Sequence, residues 1–350
     1  MAKTFKALLG DDVVNTRTML HEAIPITGSI LSGTYKLSGA ENNIKTFSHG
    51  MFESIYDYPY LSSSANHIMD ITYGCSSRAS SSANAQNAKK LNIYNQMAQV
   101  LLGYDTGSNI RTFDSDGTNE DGAGHMSQCF FLNFSRLLVK DEMKKNSFRL
   151  SLYTAGTVVN DGGGRMNAKT LGDYGAGNEF RTSPAGDYGL VFTSSAGGAN
   201  SGSVGLIFYQ AGVVVLTSSI FQEQFGINQD NKNSGLDAIT AATTGSTIEH
   251  LAAGFRRNID DIDFNNTIEL NSAIYFCRAN HNEFNYSSNP TYVNSSKLVV
   301  KNNVNDLPLT YMTSIGLYSP DNELLAVAKL SEPLRKDPNT ELTLRVRLDY

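Results

Sequence analysis

Glu341-Leu342-Thr343-Leu344-Arg345-Val346-Arg347-Leu348-Asp349-Tyr350 places Leu342, Leu344, Val346 and Leu348 on one parity and Thr343, Arg345, Arg347 and Asp349 on the other. A period of two marks a strand with one buried face and one wet face. Just upstream, Tyr311–Tyr318 and Leu324–Leu330 flank Ser319-Pro320-Asp321-Asn322. Proline pre-sets φ there, and Asp and Asn bond their own backbone, so the two arms are expected to form a hairpin. The strand pattern reaches Tyr350; its last side chains are expected to be packed, with Arg345 and Arg347 turned outward.

Working back along the chain, strands dominate. Phe148, Leu150 and Leu152 alternate with polar residues, Tyr188, Leu190 and Phe192 do the same, and Gly205–Tyr209 with Val213–Leu216 reads as a buried hairpin. Cys129–Phe134 is a buried strand or a helix start, and from Thr267 onward Ile268, Leu270, Ile274 and Phe276 share one parity. A helix is expected over 86–102, where Leu91, Tyr94, Met97/Ala98 and Leu101 recur at helical spacing and Gly103 stops it. Ser246-Thr247-Ile248-Glu249 has the spacing of a capping box ahead of Ile248, Leu251, Ala252 and Phe255, with Arg256 and Arg257 at the carboxyl end. Asp141–Lys145, acids leading and lysines trailing, suggests a short helix. The first forty-five residues hold no clear element, and an extended arm is as good a reading as a strand. No βαβ rhythm is present. The expected fold is therefore α+β and β-rich: antiparallel sheets or a sandwich with short inserted helices. Three regions are expected: 1–145 with the arm and the helix, a β-rich middle at 146–265 with inserted helices, and a C-terminal antiparallel β-domain at 266–350.

Composition bounds the function. A chain of 350 residues is long enough for a sizeable core. Charged residues make up 18%, below the usual ~25%, and Asn, Ser, Thr and Gly fill the gap. That suits broad contacts with other proteins, and it equally suits a turn-rich β fold. Net charge is −6, so direct binding to nucleic acid or anionic lipid is not expected. No run approaches the roughly 18 apolar residues of a membrane helix, and the first ten residues lack a secretory core, so the chain is expected to be made in a cytoplasm. Cys75, Cys129 and Cys277 show no Cys-x-x-Cys spacing and read as reduced small hydrophobes.

Catalytic and cofactor motifs do not emerge. The loop Asp114–Asp121 offers oxygen ligands at alternate positions, yet its glycine is fourth rather than sixth, so it is first a solvated turn and only second a calcium loop. Asp260, Asp261 and Asp263 alternate with Ile259, Ile262 and Phe264 as an element exposing its acids would. Histidines 21, 49, 67, 125, 250 and 281 are scattered without metal spacing. The glycines at 162–164 and 172–177 lack a phosphate-cradle context and read as loops that loosen the chain. No catalytic, metal or cofactor residue is assigned. The candidate interface residues are Lys329, Arg345, Arg347 and Tyr350, an ion-pairing face or an ordinary solvent face.

The hairpin arms Ile315-Gly316-Leu317-Tyr318 and Leu324–Ala328, the stretch Cys277-Arg278-Ala279-Asn280-His281-Asn282-Glu283-Phe284-Asn285-Tyr286-Ser287-Ser288-Asn289-Pro290, and Lys329-Leu330-Ser331-Glu332-Pro333 resemble segments of tail, baseplate or neck proteins of contractile-tailed marine bacteriophages. The resemblance covers about the last quarter of the chain. It implies a virion location and a non-enzymatic building block whose partners are other phage structural proteins and copies of itself. A receptor- or glycan-binding module, or a polysaccharide-degrading enzyme, is the alternative.

Overall fold

The computed structural model describes residues 5–31, 36–37, 40–79, 84–117, 124–156, 165–193, 202–221, 238–243, 245–287, 292–294, 297–298, 303 and 305–350. The chain folds as two compact units, residues 20–268 and residues 1–19 with 269–350. The division therefore falls between Ile268 and Glu269, and the regions expected at 1–145 and 146–265 contribute, from residue 20 on, to a single unit. Two long strands, β1 (Val13–Thr27) and β11 (Ile259–Ala279), each have one end in either unit.

The large unit is built on one antiparallel sheet. Its further strands are β2 (Ile44–Thr46), β3 (Glu53–Tyr56), β4 (His67–Cys75), β5 (Gln128–Phe134), β6 (Arg149–Gly156), β7 (Arg165–Gly172), β8 (Gly186–Phe192), β9 (Ser203–Phe208) and β10 (Val213–Thr217). They are ordered β11-β6-β7-β8-β9-β10-β5-β4-β3-β2. The central strands bury both faces: every side chain of Phe130–Leu132 and Val214–Leu216 is shut from solvent, which is why they read as unbroken apolar runs.

The sheet doubles back on itself. Phe134 of β5 meets Phe148 at 6.3 Å and Phe264 of β11 at 5.2 Å between ring centroids, although β5 and β11 lie far apart in the strand order. Two helices, α1 (Ala85–Leu101) and α2 (Ile248–Asn258), cover the apolar surface. Phe255 of α2 packs at 4.7 Å from Phe130 and 5.6 Å from Phe221. The result is the expected β-rich α+β architecture with antiparallel sheets and short helices.

Local chemistry explains where the helices sit. Asn84 accepts the Asn87 N–H and starts α1, and Gly103, with φ +76°, follows its last turn. Helix α1 lies directly on Gly74 of β4, where an added Cβ would be 2.8 Å from the Tyr94 backbone nitrogen. Helix α2 is capped by Thr247, whose side chain accepts the His250 N–H at 3.2 Å, so the cap falls one residue later than the Ser246 spacing suggests.

The position near the end of α2 is the most demanding in the unit. Arg256 is fully buried. Its Nε donates to Glu53 of β3 at 3.1 Å, its Nη1 to the Leu31 carbonyl at 2.7 Å, and its Nη2 to Glu41. Arg257 shares Glu41 at 3.3 Å. A guanidinium stripped of water is tolerable only with such a set of acceptors.

Several sequence expectations are corrected. Residues 13–27 form a strand, mostly with exposed side chains; its apolar residues follow no clean alternation because it pairs only with β11 and lies at the sheet's edge. Asp141–Lys145 is not helical: Glu142–Met143 pairs with β11 and the Met143 N–H donates to the Tyr209 carbonyl at 3.0 Å, so burial of Met143 overrides the weak charge pattern. The strand expected from Thr267 begins at Ile259, and the shared parity of Ile268, Leu270, Ile274 and Phe276 does not bury them; Leu270 is exposed while Ser272 and Ala273 are shut in. The segment Gly172–Gly177 is held by Asp173, described below, while Gly162–Gly164 lie outside the described residues.

Removing the Arg256 side chain leaves buried Glu53 without its cation and Glu41 with Arg257 alone. Arg256→Ala is therefore expected to cost about 3–5 kcal/mol, read as a drop in the denaturant midpoint. Arg345→Ala, on an exposed strand face, should change it by less than ~0.5 kcal/mol.

Candidate interaction surface

The two units differ in where they put their apolar side chains. The contiguous buried core runs from Ile26 to Phe264 and belongs wholly to the large unit. Among the described residues, the small unit buries four hydrophobics, Ala273, Ala279, Tyr292 and Val346, whereas fifteen of the chain's twenty-four exposed large hydrophobics lie in it. That ratio is inverted relative to a self-sufficient domain.

Its sheets show why. Strand β14 (Leu342–Asp349) pairs antiparallel with β11, in register Val346↔Tyr275 and Leu344↔Cys277. Leu342, Leu344 and Leu348 are half-buried, Val346 is buried, and Arg345 and Arg347 face out, as the period of two requires. Tyr350 departs from the expected packing: its backbone closes the ladder with Asn271 at 2.8 and 3.1 Å, but its ring is 76% exposed.

The other strands, β12 (Thr310–Tyr318) and β13 (Leu324–Lys336), form the expected hairpin as a sheet of two strands. Ile315 lies opposite Ala328 and Leu317 opposite Ala326 on a half-buried face. The other face shows Tyr311, Tyr318 and Val327, with Leu324 and Leu325 beside them, all exposed. Phe5 packs edge-on against Tyr318 at 4.9 Å, and Lys6 pairs with Glu283 at 2.5 Å. A two-stranded ribbon is marginal in water on its own.

The four candidate interface residues divide accordingly. Arg345, Arg347 and Tyr350 belong to the β14 strand and its end, and Lys329 stands on the separate hairpin sheet opposite Ser314. Arg347 already holds Asp349 at 2.8 Å and the Ser272 hydroxyl at 3.2 Å, and these partners keep the Asp349 carboxyl below the usual range.

The polar clusters of the large unit are bonded within the fold. Asp173 is completely buried; its carboxylate accepts the Asn146 N–H at 2.6 Å, the Phe148 N–H at 3.0 Å, the Tyr209 hydroxyl at 3.0 Å and Arg149 Nη1 at 3.2 Å. Burial outweighs these donors and lifts its pKa to about 6. Lys90 is shut inside against the Ala242 carbonyl at 3.1 Å, and burial lowers its pKa. Cys75 and Cys129 are buried free thiols whose pKa burial raises, which makes them unreactive. Asp260 and Asp263 point outward between buried Ile259, Ile262 and Phe264. His67, expected to stand alone, pairs with Asp70 at 2.8 Å. In the acidic loop Asp114 is buried and accepts the Asp116 N–H at 3.2 Å; positions 118–121 lie outside the described residues. Among the described residues no group of three or more His, Cys, Asp or Glu is placed to hold a metal ion, and no helix is long and apolar enough to cross a membrane.

No protein-family model, curated protein or solved structure matches this chain.

Because the folded pKa of Asp173 lies above its unfolded value of ~4, the native state holds the extra proton between the two. The resulting stabilisation is complete below about pH 4 and is lost as pH rises through about 6. Wild type measured against Asp173→Asn should therefore lose on the order of 2–3 kcal/mol of relative stability between pH 4 and pH 7.5; denaturant titrations at both pH values read it, and parallel profiles would remove the assignment.

Proposed function

We propose that this chain is a structural building block of a bacteriophage virion, a tail, baseplate or neck component that docks on neighbouring subunits through the unit formed by residues 1–19 and 269–350. The observation that carries the reading is the inverted burial of that unit: exposed Tyr311, Tyr318, Leu325, Val327 and Tyr350 beside only four buried hydrophobics among the described residues. A surface of this kind is stable in water only at a cost, and burial against another protein recovers it at about 25 cal/mol per Å². The virion is the setting suggested by the resemblance of Cys277–Pro290 and the hairpin to tail-associated proteins. The polar clusters work as structural clamps, which fits a part without turnover.

A second reading has one specific observation behind it. The loop between β3 and β4 is clasped by Asp57, which accepts the Asn66 N–H at 2.7 Å and its side-chain amide at 2.8 Å. It displays Tyr58, Tyr60 and Leu61, the last 87% exposed. Rigid tyrosines suit glycan or receptor contact. Under that reading Tyr58→Ala with Tyr60→Ala abolishes host adsorption while particles assemble normally.

The structural reading is tested with particles from which residues 342–350 have been removed genetically. Loss of β14 uncovers β11 from Ser272 to Ala279 and should abolish incorporation of the protein, seen as incomplete particles by negative-stain microscopy. Complete, infectious particles containing the shortened chain would overturn it.

A further inference from the structure

We propose that the small unit associates with a second copy of itself, hairpin face against hairpin face, about a two-fold axis that sets the two hairpins antiparallel. This rests on the small unit being a docking surface and names its partner.

Three observations select a second copy. The first is charge. The large unit carries seventeen Lys/Arg against twenty-three Asp/Glu, so the whole net charge of −6 resides there, while the small unit has eleven of each. Two small units meet without net repulsion, whereas two large units repel.

The second is the distribution of charge along the hairpin. Between Thr310 and Lys336 three acids balance three bases, and they are segregated: Asp321 and Glu323 sit at the turn, while Arg335 and Lys336 sit at the open end. Lys336 is buried and donates to the His281 carbonyl and the Asn285 side chain, while Arg335, with a 65% exposed side chain, pairs with the mostly covered Asp337 at 3.3 Å, so that end keeps one net positive charge with Arg335 outermost. A parallel pairing would set acid on acid. An antiparallel two-fold pairing sets Glu323 of each copy near Arg335 of the other, a self-complementary pattern of the kind an isologous contact requires.

The third is geometric. The hairpin is a two-stranded sheet, so each strand has an outer edge without a ladder partner among the described residues. Edge addition along β13 is discouraged by Lys329 and by Pro333, which has no N–H to give, and the register breaks between Met312 and Ser314, opposite the stretch 330–333. The face, where Phe5 already packs on Tyr318, carries the exposed apolar side chains. Tyr318 and Val327 stand toward its turn end with Leu325 beside them, the Tyr318 ring lying over Gly316, and Tyr311 stands toward its open end, so the antiparallel pairing sets the apolar turn end of each copy on the Tyr311 end of the other.

The test uses the full-length protein in sedimentation velocity across a concentration series. A monomer–dimer equilibrium is expected. Glu323→Arg alone and Arg335→Glu alone should each weaken it roughly tenfold or more, because either places like charges together at both symmetric contacts. An equimolar mixture of the two variants should recover dimers, since each mutant end then meets its complement. Leu325→Asp should give monomer, with amide exchange of the β4 and β5 strands unchanged to show that the fold persists. Arg345→Glu, on the other sheet, should leave the equilibrium as it was. A protein that stays monomeric throughout, single reversals without effect, or a mixture that fails to recover dimers would each overturn the proposal. The two readings fail separately: dimers that never enter particles leave this inference standing and remove the virion role, and particles that take up a strictly monomeric protein do the reverse.

Discussion

The buried guanidinium of Arg256 ties together more of the large unit than any one apolar contact does. Arg256 ties α2 to β3 through Glu53, to the Leu31 carbonyl, and to Glu41. Each donor points a different way, so only one seating of the helix satisfies all three acceptors. A hydrophobic side chain of similar volume could match the pair in stability, because desolvating three charges consumes most of what their attraction returns. What it could not supply is direction. Phe255, the neighbouring residue, enters the ring cluster with Phe130 and Phe221 in the pose that the ion pairs define. Helix position and aromatic packing meet at this end of α2, where Phe255 and Arg256 are consecutive residues.

Much of this was legible where local pattern and burial agree. The hairpin at 311–330, the alternation from Leu342 to Leu348, the buried pair near 205–216 and both main helices follow from period and caps because each of those segments has one face in and one face out, or none out at all. The misses have a shared physical origin. The buried face of α1 is Asn87, Lys90, Ile93, Tyr94, Ala98 and Leu101, whereas hydrophobic spacing alone selects Leu91 and passes over Lys90 and Ile93. By position Arg256 is a favourable charge at a helix end, yet it is among the most buried of the described side chains. In both places the signal lies in partners distant in sequence, Ala242 for Lys90 and Glu41 and Glu53 for Arg256, which spacing along one element does not contain. At Val13–Thr27 the sequence leaves a strand and an extended arm equally good readings for the opposite reason: with few side chains covered, the segment has little pattern to show.

The candidate surface was legible in part. The outward placement of Arg345 and Arg347 follows from parity alone, but the packing of Tyr350 does not, since a ladder can be closed by backbone atoms while the ring stays in water. Arg347 is engaged with Asp349 and Ser272, a contact between strand neighbours two residues apart and across the ladder that composition does not reveal. The exposed face of the hairpin was invisible to sequence, because an apolar residue on a strand looks the same whether or not anything covers it.

The low overall charge of the chain does not mark out the unit proposed to dock. Charged residues are somewhat denser in the small unit, twenty-two in 101 residues, than in the large one, forty in 249. Scarcity of charge in the large unit reflects its extensive core, where ionised side chains survive only as clamps such as Arg256 and Asp173. In the small unit the charges are plentiful but balanced, and they surround apolar side chains that its few buried residues leave uncovered. The proposed docking surface combines neutrality of the sum with segregation of the parts, acids at the turn of the ribbon and the exposed Arg335, paired with Asp337, at its open end, rather than an absence of charge.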